Sequence, residues 1–139
     1  MDAFIPDLDS ASPHSAQGSG LHETIDQVAR GYPFTIFEAL AQDLGLTQRE
    51  LAAVLGISGG TLTRRRGGRL STAESSRVYE VQRLLEQAEQ TIGHPDDARR
   101  WLKEPNRTLG DAPLTLARTA PGLEAVQRYL GQIAEGVVL

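Results

Sequence analysis

The sequence contains no cysteine. Disulfides, thiolate zinc sites, iron–sulfur clusters and a cysteine nucleophile are therefore excluded. Lysine is nearly absent as well: Lys103 stands alone, so thirteen of the fourteen basic residues are arginine. Arginine presents a flat fork that matches phosphates and guanine edges in a bidentate way, although GC-rich coding would give the same bias. No positive charge precedes Arg30, and no apolar run is long enough to cross a bilayer. Neither a signal peptide nor a transmembrane segment is read, which leaves a soluble cytoplasmic protein with no membrane partner. The three histidines, His14, His22 and His94, never pair at metal-ligand spacing. They read as exposed or capping residues, and neither metal nor cofactor is expected.

What is present is ordinary in bulk and uneven in distribution. A chain of 139 residues with 40% hydrophobic content fits one domain, or one domain plus an extension. The net charge of −4 argues weakly against a nucleic-acid partner, but its layout reverses that. Residues 1–48 hold seven acids and one base, residues 49–83 hold seven bases and three acids, and residues 84–139 hold six bases and eight acids. Positive charge is concentrated in one short stretch, above all Arg64, Arg65, Arg66 and Arg69.

Residues 1–20 carry Pro6, Pro13, Gly18, Gly20 and four serines, too little apolar surface to order themselves, and read as a disordered leader. From Leu21 onward the chain reads as helices with no period-2 strand. Gly31 and Pro33 precede a first core helix over 34–44, stopped by Gly45. Thr47-Gln48-Arg49-Glu50 is a capping box that opens a helix to Leu55. Gly56 makes the turn, and Ser58 caps a short helix through Arg66 with Leu62 inward. Ser71-Thr72-Ala73-Glu74 is a second capping box. It opens the longest helix, 72–92, whose apolar stripe is Val78, Val81, Leu85, Ala88 and Ile92. Pro95 with Asp96 and Asp97 starts a helix bearing Trp101 and Leu102. Pro113 starts a turn or two, and Pro121-Gly122 starts a last helix with Leu123, Val126, Leu130 and Ile133. It ends at Gly136, followed by the apolar Val137-Val138-Leu139.

Thr47–Arg66 has helix–turn–helix form: a capped helix, a tight glycine turn, then a short helix able to enter a major groove. A generic helical hairpin would share that spacing, and the arginine cluster is what favours DNA. The expected DNA-facing set is Thr47, Gln48, Ser58, Thr61, Thr63, Arg64, Arg65, Arg66 and Arg69. Thr61, Thr63 and Arg64 are the base readers and the arginines act mainly on phosphates. Gly59 and Gly60 sit where reader side chains usually stand, which shifts weight toward DNA shape or dimer spacing. Arg65 falls where such a helix usually buries an apolar residue. Gly56-Ile57-Ser58-Gly59-Gly60 also fits the G-x-S-x-G nucleophile elbow. That elbow needs a preceding strand and a large sheet, whereas the residues before it read as a capped helix, so no enzyme is expected. Trp101 reads as core, with an interface as its alternative role.

Beyond the helix–turn–helix, the chain resembles Xre-type antitoxins of the RES–Xre toxin–antitoxin systems. The resemblance rests on Gly68-Arg69-Leu70-Ser71-Thr72-Ala73-Glu74-Ser75 and Ala98-Arg99-Arg100-Trp101-Leu102. It continues through Pro105-Asn106-Arg107-Thr108-Leu109-Gly110, Pro113-Leu114 and Gly136-Val137-Val138, covering about residues 34–139. Together with the helical reading of the residues it implies an all-α fold, with an Xre/Cro-like helix–turn–helix DNA-binding module (21–71) and a small helical toxin-binding and dimerisation module (72–139). The disordered leader (1–20) lies outside the resemblance. The resemblance implies an antitoxin of a type II system that occludes the active site of a RES-domain, NAD-degrading toxin. It further implies binding to operator DNA, repression of its own operon, and a homodimer. Carried onto this chain, the toxin-facing residues are Trp101, Arg107, Gly136, Val137, Val138 and Leu139. The apolar tail departs from more polar versions, so its contacts to catalytic groups would come from backbone or the terminal carboxylate. The alternative is a stand-alone Xre-type repressor whose tail packs in its own dimer.

Overall fold

The computed structural model describes residues 18–136. Among these are eight helices: α1 Gly18–Arg30, α2 Phe34–Leu44, α3 Gln48–Leu55, α4 Gly59–Arg65, α5 Thr72–Ile92, α6 Pro95–Lys103, α7 Pro113–Leu116 and α8 Ala120–Ala134. No strand forms among the described residues, only an isolated antiparallel bridge between Pro33 and Arg69. The fold is all-α, as the periodicity requires. Residues 1–17 of the expected leader, and Val137-Val138-Leu139, lie outside the described residues. Gly18, Ser19 and Gly20, assigned above to the leader, instead form the first turn of α1. The Thr24 hydroxyl donates to the Gly20 carbonyl at 2.9 Å, and a helix once nucleated extends at little further cost. At the other end of the module α4 stops one residue short of Arg66, which is already extended at ψ 131.

Local chemistry sets the boundaries. Thr47 and Glu50 form the first capping box, each side chain taking the other's backbone N–H at 3.0 and 2.9 Å. Ser71 and Glu74 form the second. Each is worth about 1 kcal/mol. Gly45 and Gly56 adopt the left-handed conformation at φ 69 and 78 and close α2 and α3 the same way. The N–H of the next residue, Leu46 or Ile57, reaches back to Ala41 or Ala52, and the glycine N–H reaches Gln42 or Ala53. This double closure leaves the last two carbonyls of each helix, Asp43 and Leu44 or Val54 and Leu55, without a backbone donor.

The first carbonyl of each of these pairs, and its counterpart at the end of α1, is taken by a side chain from further along the chain. Thr72 Oγ1 donates to Ala29 at the end of α1 at 2.7 Å. Arg99 Nη1 donates to Asp43 at the end of α2 at 3.2 Å. Arg77 Nη2 donates to Val54 at the end of α3 at 3.0 Å. In each case the acceptor lies two residues before a positive-φ glycine, Gly31, Gly45 or Gly56.

Helix α5 is the axis of one continuous core. Val78, Val81, Leu84, Leu85 and Ala88 are buried along it. Phe37, Leu44, Leu51, Leu55 and Leu62 pack from α2–α4, and Leu102, Leu114, Val126 and Leu130 from α6–α8. Because α5 is covered from both sides, its apolar face is wider than one stripe. Leu84, outside the expected stripe, is fully buried, while Ile92 at its end is half-buried.

A short seam fixes α1 and α2 against the start of α5. Phe34 N–H donates to the Gly68 carbonyl at 2.9 Å and Leu70 N–H to the Tyr32 carbonyl at 2.8 Å. Tyr32 N–H donates to Ser75 Oγ at 2.8 Å, and that hydroxyl donates onward to the Ser71 carbonyl. Ser75 is fully buried. Gly31 sits at φ +91, where any Cβ would overlap the Leu70 carbonyl oxygen. Gly31→Ala and Ser75→Ala are each expected to cost about 1–3 kcal/mol, the first through strain and overlap, the second by orphaning a buried N–H. Urea unfolding checks this: the midpoints should fall with unchanged slope, and an unmoved midpoint for Ser75→Ala would show that water serves Tyr32 equally well.

Candidate nucleic-acid and partner interfaces

The helix–turn–helix is α3, the turn Gly56-Ile57-Ser58, and α4. Leu51, Ala52, Leu55 and Ile57 hold α3 and the turn in the core, and Leu62 is the buried residue of α4. The remaining side chains of α4 face outward. Ser58 Oγ accepts the Thr61 N–H at 3.2 Å and donates to Thr61 Oγ1 at 3.1 Å. Arg64 Nη2 donates to the same Thr61 oxygen at 3.0 Å, and Thr63 Oγ1 donates to the Gly59 carbonyl. Ser58 is thus a helix cap following a helix, in place of the strand that a nucleophile elbow needs.

Of the four clustered arginines, Arg65 alone has a carboxylate partner among the described residues. Arg65 makes a bidentate bridge to Glu74, Nε to Oε1 at 2.9 Å and Nη2 to Oε2 at 3.2 Å. Arg69 Nη1 donates to the Gly31 carbonyl at the end of α1. Arg64, Arg66 and Arg69 are all exposed and have no carboxylate partner among the described residues. Of the expected DNA-facing residues, Thr47 at the start of α3, Ser58, Thr63, Arg64 and Arg66 are exposed, and Gln48 and Thr61 half-buried. Arg65 and Arg69 are bonded into the fold.

On the downstream module, Trp101 is half-buried and stacked on Tyr129 of α8, ring centres 6.2 Å apart and planes 13° from parallel. It is both core wall and surface. Arg107 is exposed on a loop that Asn106 organises. The Asn106 side chain accepts Leu109 N–H at 3.0 Å, its carbonyl accepts Gly110 N–H at 2.8 Å, and its own N–H donates to Asp111. Gly136 is exposed at φ +81 beyond α8. Val137, Val138 and Leu139 lie outside the described residues.

Sequence reasoning passed over Arg77 and Tyr129, and it named Ser75 and Asn106 only within the stretches that carry the resemblance. Only Asn106 carried a local signal, a short side chain before a glycine loop, of the kind that bonds its own backbone. No three His, Asp or Glu side chains among the described residues gather to hold a metal ion. No helix is long and apolar enough to cross a membrane.

Burial opposes ionisation of Glu74, but the Arg65 guanidinium and the Ser71 backbone and hydroxyl outweigh it, holding the carboxyl below its usual range. A depressed carboxyl contributes stability that is complete above its unfolded pKa, about 4.3, and is lost as pH falls through the folded value. The stability difference between wild type and Glu74→Gln is therefore expected to be full at pH 7 and to shrink below about pH 4.3. Thermal unfolding across pH 3–7 measures it, and a pH-independent difference would assign Glu74 a purely uncharged capping role.

Comparison with protein families places names on these two halves. Residues 23–83 match the antitoxin Xre-like helix-turn-helix domain. Residues 87–136 match the antitoxin Xre/MbcA/ParS C-terminal toxin-binding domain. A comparison with curated proteins gave no match. The matched segments meet within α5, the helix that also unites their cores. The chain thus carries an antitoxin Xre-like helix–turn–helix domain joined to an Xre/MbcA/ParS C-terminal toxin-binding domain, the two-domain make-up of an Xre-type antitoxin.

Proposed function

We propose that this chain is the antitoxin of a type II toxin–antitoxin system, acting in the cytoplasm without catalysis. Its C-terminal module neutralises a RES-domain, NAD-degrading toxin by covering the toxin's active site. Its helix–turn–helix represses the operon that encodes the pair. The carrying observation is the union, on the single helix α5, of an arginine-faced helix–turn–helix with a toxin-binding domain.

On DNA, α4 would lie in the major groove with Thr61, Thr63 and Arg64 toward base edges. Thr47, Gln48, Ser58 and Arg66 would reach phosphates. Arg69 keeps its positive charge while bonded to the Gly31 carbonyl, and Arg65, neutralised by Glu74, holds the flank of the helix. Gly59 and Gly60 leave the first turn of α4 bare, which favours readout through DNA shape and the spacing of a homodimer's two copies. On the toxin, Trp101, Arg107 and residues 136–139 form the contact, the tail entering the catalytic pocket.

Co-expression with the product of the adjacent reading frame tests the toxin half, using the full chain and one cut after Glu135. Growth rescued only by the full chain, with co-purification, is the expected result. Rescue by both versions moves the contact elsewhere on the module. Failure of both to rescue or co-purify leaves the stand-alone repressor. For the DNA half, Arg64→Ala and Arg66→Ala should each lower the slope of log affinity against log salt by about 0.9. Arg65→Ala and Arg69→Ala should act first on stability. Unchanged slopes for Arg64 and Arg66 would remove both from the phosphate contacts.

A further inference from the structure

Arg77, in the second turn of α5, touches both halves of the molecule at once. Its Nη2 donates to the Val54 carbonyl of α3 at 3.0 Å and to the Ala117 carbonyl at the end of α7 at 2.8 Å. Its Nη1 is held by Glu80, one turn along the same helix. The side chain is 22% exposed, so water offers those carbonyls poor replacement.

Both acceptors stand at consequential points. Val54 is the penultimate residue of α3, and only Gly56-Ile57-Ser58 separates α3 from α4. α4 has a single buried side chain of its own, Leu62, and is tied to α5 by the Arg65–Glu74 bridge, so its orientation is set by that bridge together with the way α3 ends. Ala117 closes the four-residue α7, and Thr119 caps α8 immediately after it. One nitrogen with two hydrogens serves both carbonyls, so displacement of either draws on the bond to the other. No other residue of α5 bonds to both modules among the described residues.

We propose that Arg77 is a positioning residue that makes the presentation of α4 depend on the state of the α7–α8 corner. Occupation of the downstream module would be felt at the helix–turn–helix through this guanidinium. The transmission of partner binding to DNA binding rests on the function proposed above. The mechanical joint does not, because it is visible in the free chain.

The test is a double-mutant cycle read by hydrogen exchange on the full chain, comparing wild type, Leu114→Ala, Arg77→Met and the double variant. Leu114 is a buried residue of α7, and its truncation should speed exchange at Ala117 and Leu123 with either residue at position 77. With Arg77 present it should also speed exchange of the Thr61 and Leu62 amides by about threefold or more, as expected for residues in one network. With Arg77→Met that distant effect should vanish. A distant effect of equal size in both backgrounds would assign transmission to the core and overturn the proposal. So would no distant effect in either. If Arg77→Met fails to fold, Arg77→Lys takes its place, since an ammonium lacks the fork and should give an intermediate effect.

A second arm uses the adjacent reading frame's product and a duplex from upstream of the operon. The factor by which that product changes DNA affinity should fall toward one in the folded variant, while each separate affinity holds within about threefold. An unchanged factor overturns the proposal. If the product does not bind wild type at all, the antitoxin reading fails, and the exchange cycle still decides the joint.

Discussion

A helix ends with carbonyl groups that its own backbone cannot satisfy, and the architecture of this chain follows from where their donors come from. The double hydrogen-bonded closure at Gly45 and Gly56 serves two carbonyls of each helix and misses the last two. The first of the missed pair on α2 and on α3, and its counterpart on α1, are the carbonyls of Asp43, Val54 and Ala29, taken by Arg99, Arg77 and Thr72. All three donors lie on α5 or α6. Thr72 and Arg77 lie within the segment matched to the helix–turn–helix domain and Arg99 beyond it, so these helix ends are closed partly from within that domain and partly by the downstream module. Positive side chains suit these positions for a second reason, because the C-terminal end of a helix carries partial negative charge.

The same requirement explains how an acidic protein presents a basic face. Arginine does two jobs here, and the structure separates them. Arg69, Arg77 and Arg99 close helix ends, and Arg65 is locked against Glu74. Arg64 and Arg66 remain exposed next to the bare first turn of α4. Counting arginines in the segment overstates the charge free to meet phosphate. The shape of the face depends as much on the bonded arginines as on the free ones.

Helix α5 gives the two modules a common rigid element. Its start is fixed by the Ser71–Glu74 capping box and by the seam through Ser75 and Tyr32. Its middle is buried on both sides. A rod of this kind transmits force better than a linker of exposed polar residues. The short helices at its flanks, α4 and α7, have few anchors of their own and are the parts most open to adjustment.

Much of the fold was legible in the residues because its signals are local. Two capping boxes, the stops at Gly45, Gly56 and Gly93, and Pro95 and Pro113 at helix starts each act over a few residues of chain. They determine the helices and their order nearly to the residue. The spacing of Thr47–Arg66 likewise fixes two short helices across a glycine turn, and the arginines beside it are what distinguish a helix–turn–helix from a generic hairpin. What the local signals could not carry was partnership across distance. Nothing near Ser75 announces that its hydroxyl receives Tyr32, 43 residues away. Nothing near Arg77 announces Val54 and Ala117, 23 and 40 residues away. Arg65 reads as one more basic residue until α5 brings Glu74 against it, and Leu84 joins the core only because α5 is covered on two sides. Helix caps and turns depend on backbone geometry within one or two turns, so sequence alone determined them. The division of the arginines between fold and free surface depends on which elements pack together, and only the tertiary structure decided it.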